Sequence, residues 1–319
     1  MATLVQAHNL GRRFGRRWAV ARLDLDIHID ERLLIIGPNG CGKTTLLRVL
    51  ATLLHPHQGA VKWSNETRNP RNRIGLMGHD PGIYEDLSAV DNLRIFARLM
   101  HTDPDAIGSL LSTVGLDERP DPVARYSAGM RRRLALALLL QKQPELALLD
   151  EPFANLDAEL RADLGAWCAE QIQSEGAAAL LVTHDRREAM ALSDQIAIVD
   201  EQPGRVLQVD QAKTLYEKPN HQAVARMTGE ALLVPARATD HQARSALGDH
   251  EVLTDIEGSV TLVIRPEHMD LIPDENGPLI VDHSYFDAQQ WKHRLRYNGQ
   301  TVIIALDQRL EATRLRLTT

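Results

Sequence analysis

Two kinds of apolar pattern alternate along the first two thirds of the chain. Continuous apolar runs at 33–36, 146–149 and 177–182 lack the polar residues at alternate positions that a half-buried strand would show. Such runs are typical of parallel strands covered by helices on both faces. Apolar residues at helical spacing precede or follow these runs, as in 44–54 and 131–141. The alternation predicts an α/β fold built around a parallel sheet.

A helical insertion interrupts this order. Segments 88–100 and 105–116 place apolar residues at helical spacing. Ser88 followed three residues later by Asp91 is an N-terminal capping signal for the first of these helices. We therefore expect a helical subdomain at about 80–140 within a larger first domain.

The last ninety residues have the pattern of an all-β domain. Short β-like runs are separated by polar turns, and 291–297 alternates apolar and polar residues before Asn298-Gly299, a hairpin signal. Helical segments 211–218 and 221–227 precede this change. The predicted domains are 1–230, with an α/β core, and 231–319, a small β-domain.

Composition narrows the function classes. The chain has 319 residues, 36 Lys and Arg against 43 Asp and Glu, and a formal net charge of −7, so it lacks the basic character of a nucleic-acid-binding protein. Its longest apolar runs are too short to span a bilayer, and the first residues lack the apolar segment of a signal peptide. Two cysteines are too few for a disulfide framework and suit a reducing compartment.

The segment "GPNGCGKTT" after the first buried run carries the phosphate-binding pattern Gly37-x-x-x-x-Gly42-Lys43-Thr44. Glycines let successive backbone amides turn inward, and the following helix adds the positive end of its dipole. Lys43 is expected to reach the terminal phosphates, and Thr44 to ligate Mg²⁺. The expected nucleotide contacts in this loop are Gly37, Pro38, Asn39, Gly40, Cys41, Gly42, Lys43, Thr44 and Thr45.

Cys41 lies inside this loop. Because a thiol at a helix N-terminus gains thiolate character, we expect Cys41 to be reactive and its alkylation to block nucleotide binding.

Asp150 and Glu151 end a second buried run. Ligands of open α/β sheets bind at the carboxyl ends of the strands, and two adjacent acids cannot both enter a core without partners. We assign Asp150 to the Mg²⁺ shell and expect Glu151 to project toward the γ-phosphate, either as a base or as the group that orients the attacking water.

Three further segments, "YSAGMRRRLALALLL", "LLDEPFANLDAELR" and "LLVTHD", resemble the ATPase subunits of ATP-binding-cassette (ABC) transporters. The resemblance covers nearly the whole chain and implies a P-loop ABC ATPase core with an inserted helical subdomain. It also implies that ATP and Mg²⁺ are the cofactors and that two identical chains enclose two ATP molecules.

The resemblance also implies roles for residues beyond the P-loop. The signature loop, Ser127, Ala128, Gly129 and Met130, would contact ATP held by the second chain. Asp157 would connect the two sites, and His184 would bond the γ-phosphate and hold the attacking water. Phe14 falls where the family stacks an aromatic ring on adenine, and Val20 is a further implied nucleotide contact.

The sequence departs from the family pattern at His79, where these ATPases have a glutamine that touches Mg²⁺ and senses the membrane partner. A neutral histidine can ligate a metal or bond water. His79 is therefore expected either to belong to the Mg²⁺ coordination shell or to pack as part of a hinge.

Different segments of the chain resemble different types of ABC transporter. "GHDPGIYEDL" is similar to exporter ATPases, including haem-linked ones, whereas "TLYEKPNHQAVARM" and "LVIRPEHMDLI" resemble importers of sugars, polyamines, sulfate or ferric iron. Importers carry a C-terminal β-domain called TOBE, so import is favoured and export is the alternative. Implied partners are a second copy, membrane permeases and indirectly a solute-binding protein, at the cytoplasmic side of the membrane. A non-transport ABC ATPase and a P-loop kinase are less favoured rivals.

Overall fold

The computed structural model of the chain describes residues 2–64, 70–78, 80, 82–154, 156, 158–183, 192–201, 204–252, 256–310 and 312–317, with the side chains of 158–160 outside this description. The chain forms two compact units, Met1–Leu215 and Tyr216–Thr319.

The first unit begins with strands and ends in a short helix. Its strands are β1 (Thr3–Phe14), β2 (Arg17–His28), β3 (Arg32–Ile36), β4 (Gln58–Trp63), β5 (Ile74–Met77), β6 (Leu146–Asp150), β7 (Ala178–Thr183), β8 (Gln195–Val199) and β9 (Val206–Asp210). Its helices are α1 (Lys43–Leu50), α2 (Ala89–Met100), α3 (Ile107–Thr113), α4 (Ala128–Gln141) and α5 (Ala158–Ser174), and α6 (Ala212–Glu217) begins at its end.

A six-stranded sheet of order β5-β6-β7-β3-β8-β9 forms the centre of this unit. The strands from β5 to β8 in that order are parallel, and β9 pairs antiparallel with β8 at the edge. Every residue of β6 and β7 is buried, which explains their continuous apolar sequence. The predicted α/β class is confirmed.

A three-stranded antiparallel sheet of order β2-β1-β4 lies beside the central sheet. Its inward side chains, such as Leu10 and Leu23, join α1 and the central strands in a single core. This shared core fixes the β1–β2 strands against the loop that follows β3, since α1 starts directly after that loop.

Helices α2, α3 and α4 surround a core of their own, which includes Leu93, Leu111 and Leu134. Ser88 caps α2: its Oγ accepts from the Asp91 amide at 3.1 Å, as predicted from the sequence. The helical insertion is therefore a separately packed region.

The second unit contains α7 (Gln222–Thr228) and antiparallel strands. These are β10 (Leu232–Thr239), β11 (Gln242–Ser245), β12 (Gly248–Glu251), β13 (Gly258–Ile264), β14 (Leu271–Pro273), β15 (Leu279–Phe286), β16 (Trp291–Tyr297), β17 (Gln300–Leu306) and β18 (Arg314–Leu317). They form sheets of order β12-β11-β10-β13 and β14-β18-β15-β16-β17 that share one core. Asn298 and Gly299 have φ of 45° and 77°, so the predicted hairpin between β16 and β17 is present.

Short 3₁₀ turns complete the fold at Pro70–Arg73, Pro104–Ala106, Val123–Arg125 and Pro266–His268. Among the described helices, none is both long and apolar enough to cross a membrane.

Candidate functional site

The glycine-rich loop connects β3 to α1, as the sequence predicts. Gly42 has φ +100°, and a Cβ there would lie 1.9 Å from the backbone oxygen of Ala19. Gly40 has φ +84°, a conformation that favours glycine. A Cβ on Gly37 would lie 2.8 Å from Cys41 Sγ. Backbone conformation and close packing together require glycine at these positions.

The loop presents the open N-terminus of α1. Gly42 is the N-cap and supplies no side-chain hydrogen bond, and the first turn contains no acidic residue. Helix N-termini leave amide groups that a side chain, water or an anion must satisfy. The N-terminus of α1 is therefore suited to binding a phosphate group.

Lys43 is buried, with 8% of its surface exposed, and it lies under the loop. Its Nζ donates to the Gly37 oxygen at 2.7 Å and to the Pro38 oxygen at 3.0 Å. The ammonium group is positioned to contact an anion bound on the loop. In the absence of an anion, the two backbone carbonyls accept its hydrogen bonds.

The expectation of a reactive thiolate at Cys41 is wrong. Cys41 is 2% exposed, and burial raises the pKa of its thiol above the ordinary value, although the charge of Lys43 acts in the opposite direction. The Sγ packs inside the loop against the position of Gly37. Desolvation therefore outweighs the helix N-terminus, and Cys41 supports the loop from within.

Asp150 and Glu151 stand at the carboxyl end of β6, on the same edge of the sheet as the glycine-rich loop. Asp150 is 7% exposed, whereas Glu151 is half-buried. The backbone amide of Glu151 donates to the Val182 oxygen at 2.8 Å, and its φ is +48°. This left-handed conformation turns the chain sharply between two carboxylates that differ in burial.

Arg132 lies under this turn, and the sequence analysis did not identify it. Its Nη2 donates to the Glu151 backbone oxygen at 3.3 Å. Burial lowers the Arg132 pKa, while the Glu151 charge raises it. The run Arg131-Arg132-Arg133 directly after the signature loop was the only available signal in the sequence. Arg132 thus helps to hold the backbone that positions the Glu151 carboxylate.

These groups converge on one cavity of about 430 Å³. Its lining comprises Phe14, Arg17, Trp18, Ala19, Asn39, Gly40, Gly42, Lys43, Thr44, Thr45, Asp150 and Glu151. The volume is in the range of small-molecule and cofactor sites. The lining combines cationic and hydroxyl groups, two carboxylates and two aromatic rings, which are the groups that a nucleoside triphosphate requires.

Other predicted nucleotide contacts lie at different depths. Phe14 is 52% exposed in the cavity wall, so its ring is accessible to a ligand. Val20 is 1% exposed and packs beneath the loop, where its Cγ2 would be 3.1 Å from a Cβ on Gly42. Its neighbours Trp18 and Ala19 line the cavity, and neither was predicted.

The signature loop lies at the N-terminus of α4, in the helical region. Ser127 is the N-cap, and its Oγ accepts from the Met130 amide at 3.2 Å. Ser127 and Ala128 are exposed, Met130 is half-buried and Gly129 is buried. None of these four residues is in the lining of the cavity. His79, Asp157 and His184 lie outside the described residues.

Comparison with known proteins agrees with this geometry. The family described as ABC transporter matches residues 20–154. The Fe(3+) ions import ATP-binding protein FbpC of Mesorhizobium japonicum is 34% identical over 284 residues, covering 84% of this chain and 78% of that protein. FbpC of Yersinia pestis is 32% identical, covering 86% and 81%.

Solved structures show the same fold. A structure described as the ATP binding subunit of an ABC transporter has a TM-score of 0.61 and 23% identity, covering 71% of this chain and all of the other. CbiO1 from Clostridium perfringens, described as part of the ABC transporter complex cbiONQ, also has a TM-score of 0.61 and 23% identity, covering 68% of this chain and 92% of the other.

The glycine-rich loop, the acidic end of β6 and the match to relatives over most of both chains lead to one conclusion. The chain belongs to the ABC transporter family, and it is an ATP-hydrolysing ATP-binding subunit similar to those of importers.

Proposed function

We propose that the chain couples ATP hydrolysis to import of a small solute through permease subunits in the membrane. The cavity supports this most directly, because Lys43, Thr44, Glu151 and Phe14 all belong to its lining. The triphosphate lies along the glycine-rich loop, and adenine stacks on the Phe14 ring.

Glu151 is the proposed general base. The half-buried carboxylate at the cavity wall accepts a proton from water as that water attacks the γ-phosphorus, which releases ADP and phosphate. Thr44 and Asp150, both in the lining, have the oxygen ligands that suit Mg²⁺. A bound ion would neutralise charge on the phosphates. His184 is proposed to hold the attacking water, and Asp157 to connect the two ATP sites. His79 is proposed either to coordinate the metal ion or to pack as part of a hinge.

The active form is proposed to be a dimer of identical chains. Ser127 and Ala128 are exposed at the N-terminus of α4, on a different element from the cavity. Helix N-termini bind phosphate, so a second chain's signature loop, with Gly129 and Met130, can cover the ATP held by the first. ATP favours the closed dimer because it has contacts there that the separate chains lack.

The remaining partners are proposed from the relatives. Because the relatives are import proteins, we propose that the dimer drives permease subunits from the cytoplasmic face of the membrane. A solute-binding protein is proposed as an indirect partner. The relatives named above are Fe(3+) import proteins, so ferric iron is the proposed solute. The antiparallel second unit is proposed to be a TOBE-like regulatory domain, which favours import over export.

Glu151→Gln tests the catalytic assignment. The amide cannot accept the proton, so we expect turnover to fall by about 10²–10⁴-fold, with ATP affinity retained. Glu175→Gln, an exposed change after α5, is the control. Near-normal ATPase activity of Glu151→Gln would place the base elsewhere.

ATPase activity of the complex with its permeases, measured with and without an iron-loaded binding protein, tests the proposed solute. No stimulation by the iron-loaded protein would contradict ferric import.

A further inference from the structure

The turn between β1 and β2 carries arginines on both sides of Phe14, at Arg12, Arg13, Arg16 and Arg17. We propose that two of them complete the site for the nucleoside end of ATP. Arg17 contacts the nucleoside directly, and Arg12 positions the Phe14 ring on which the base stacks. The proposal rests on the ATP-binding function proposed above.

Arg12 supports Phe14 from one side. Its guanidinium carbon lies 5.0 Å from the centre of the Phe14 ring, within the range of a cation–π contact. Arg12 is anchored in turn, because its Nη1 donates to the His55 backbone oxygen at 2.9 Å. The guanidinium group therefore occupies one face of the ring and restrains an aromatic side chain that is 52% exposed.

The other face of Phe14 remains for the base. A ring with a cation on one face and a nucleobase on the other forms a three-layer stack, and restraint by Arg12 reduces the entropy lost when the base binds. Arg12 thus acts through Phe14 and is a positioning residue.

Arg17 lies beside Phe14 and lines the cavity. The two residues are direct partners in the antiparallel register of β1 and β2, so their side chains project on the same side of the sheet. Arg17 is exposed, and within the described ranges no carboxylate forms an ion pair with it. Its donors are available to a ligand.

The position of Arg17 determines which part of ATP it meets. Lys43, Thr44 and Thr45 follow the glycine-rich loop at the start of α1, whereas Arg17 pairs with Phe14 at the end of the β1–β2 hairpin. A planar guanidinium group with five N–H donors matches the ring nitrogens of a purine and the ribose oxygens. Arg17 therefore binds the nucleoside, and the phosphates have their own cation in Lys43.

Calorimetric binding of two probes to the full chain separates these roles. AMP-PNP carries both nucleoside and triphosphate, whereas inorganic tripolyphosphate carries only the phosphates. We expect Arg17→Ala to weaken AMP-PNP binding about five- to tenfold, as for loss of a hydrogen bond, and to leave tripolyphosphate binding unchanged. Arg16→Ala, in the exposed turn, removes the same charge outside the cavity lining and is the matched control.

Arg12→Ala is expected to weaken AMP-PNP binding about two- to fivefold, as for loss of an exposed cation–π contact. It should raise the KM for ATP and leave kcat unchanged, a split that general destabilisation would not produce. Unchanged AMP-PNP binding in both variants, or an equal loss of tripolyphosphate binding in Arg17→Ala, would overturn the inference. Failure of the unaltered chain to bind AMP-PNP would instead contradict the proposed function.

Discussion

The glycine-rich loop and the signature loop both sit at helix N-termini, yet they differ in what surrounds them. The first loop is enclosed by β1, β2 and the end of β6, and it forms one wall of a cavity. The second is exposed at Ser127 and Ala128 on the helical region. The glycine-rich loop is thus enclosed within the chain, whereas the first residues of the signature loop are exposed. This difference is the basis of the proposal that a second chain completes the site.

The two loops also differ in how their amides are satisfied. Gly42 gives α1 no side-chain cap, whereas Ser127 caps α4 through the Met130 amide. A capped helix is stable without a ligand, but an uncapped one gains from an anion. ATP should therefore bind first to the glycine-rich loop, and the signature loop should add its contacts on dimer closure.

The largest expected effect follows from Lys43→Ala. Removal of the ammonium group from the enclosed loop should reduce ATP hydrolysis by about 10²–10³-fold, the scale for one preorganised electrostatic contact. ATP binding should weaken as well. Lys62→Ala, on an exposed position of β4, is the matched control. If Lys43→Ala bound and hydrolysed ATP as the parent chain does, the proposed role of the glycine-rich loop in the mechanism would be contradicted.

A smaller effect is expected from Ser127→Asp. Aspartate retains the N-cap of α4, so the melting temperature should hold, but its charge opposes the phosphates of a partner's ATP. We expect hydrolysis to fall about 10–100-fold, as for loss of a hydrogen bond to a charged group. AMP-PNP binding to the separate chain should stay normal. Ser109→Asp adds the same charge on exposed α3 as a control. Weakened AMP-PNP binding would indicate that the signature loop contributes within one chain.

The smallest effect concerns Cys41. Because burial raises the thiol pKa, less thiolate is present at neutral pH than in an ordinary cysteine, and alkylation by iodoacetamide should be slow. The rate should rise as pH increases beyond the range in which a free cysteine ionises. Mass spectrometry of the Cys168→Ser variant isolates the Cys41 reaction. Modification at pH 7 as fast as that of glutathione would contradict the buried position.

Patterns in the sequence predicted the features with local causes. The glycine-rich loop, the Ser88 cap and the Asn298-Gly299 hairpin each depend on neighbouring residues, and the structure contains all three. The burial of Cys41 depends on packing from distant segments, so the helix-terminus argument alone was wrong there. The same holds for Arg132, whose partner is the Glu151 backbone, 19 residues away.

The division of the chain depends on contacts of the same kind. Pattern changes near 230 suggested a boundary there, whereas the compact units divide between Leu215 and Tyr216. Arg265 contacts the segment before 230: its Nη2 donates to the Tyr216 oxygen at 2.7 Å, and its Nη1 donates to the Ala225 oxygen at 3.0 Å. Its guanidinium also stacks on the Tyr216 ring at 3.9 Å. Buried Arg265 thus contributes to holding the segment before 230 in the second unit.

The central claim is that ATP joins the enclosed loop of one chain to the outward loop of another. Light scattering after size exclusion tests it with Glu151→Gln, which cannot turn ATP over, in the presence of ATP and Mg²⁺. We predict twice the chain mass for Glu151→Gln and the mass of one chain for Glu151→Gln combined with Ser127→Asp. A single-chain mass for Glu151→Gln with ATP bound, or a dimer that persists in the double variant, would contradict the claim.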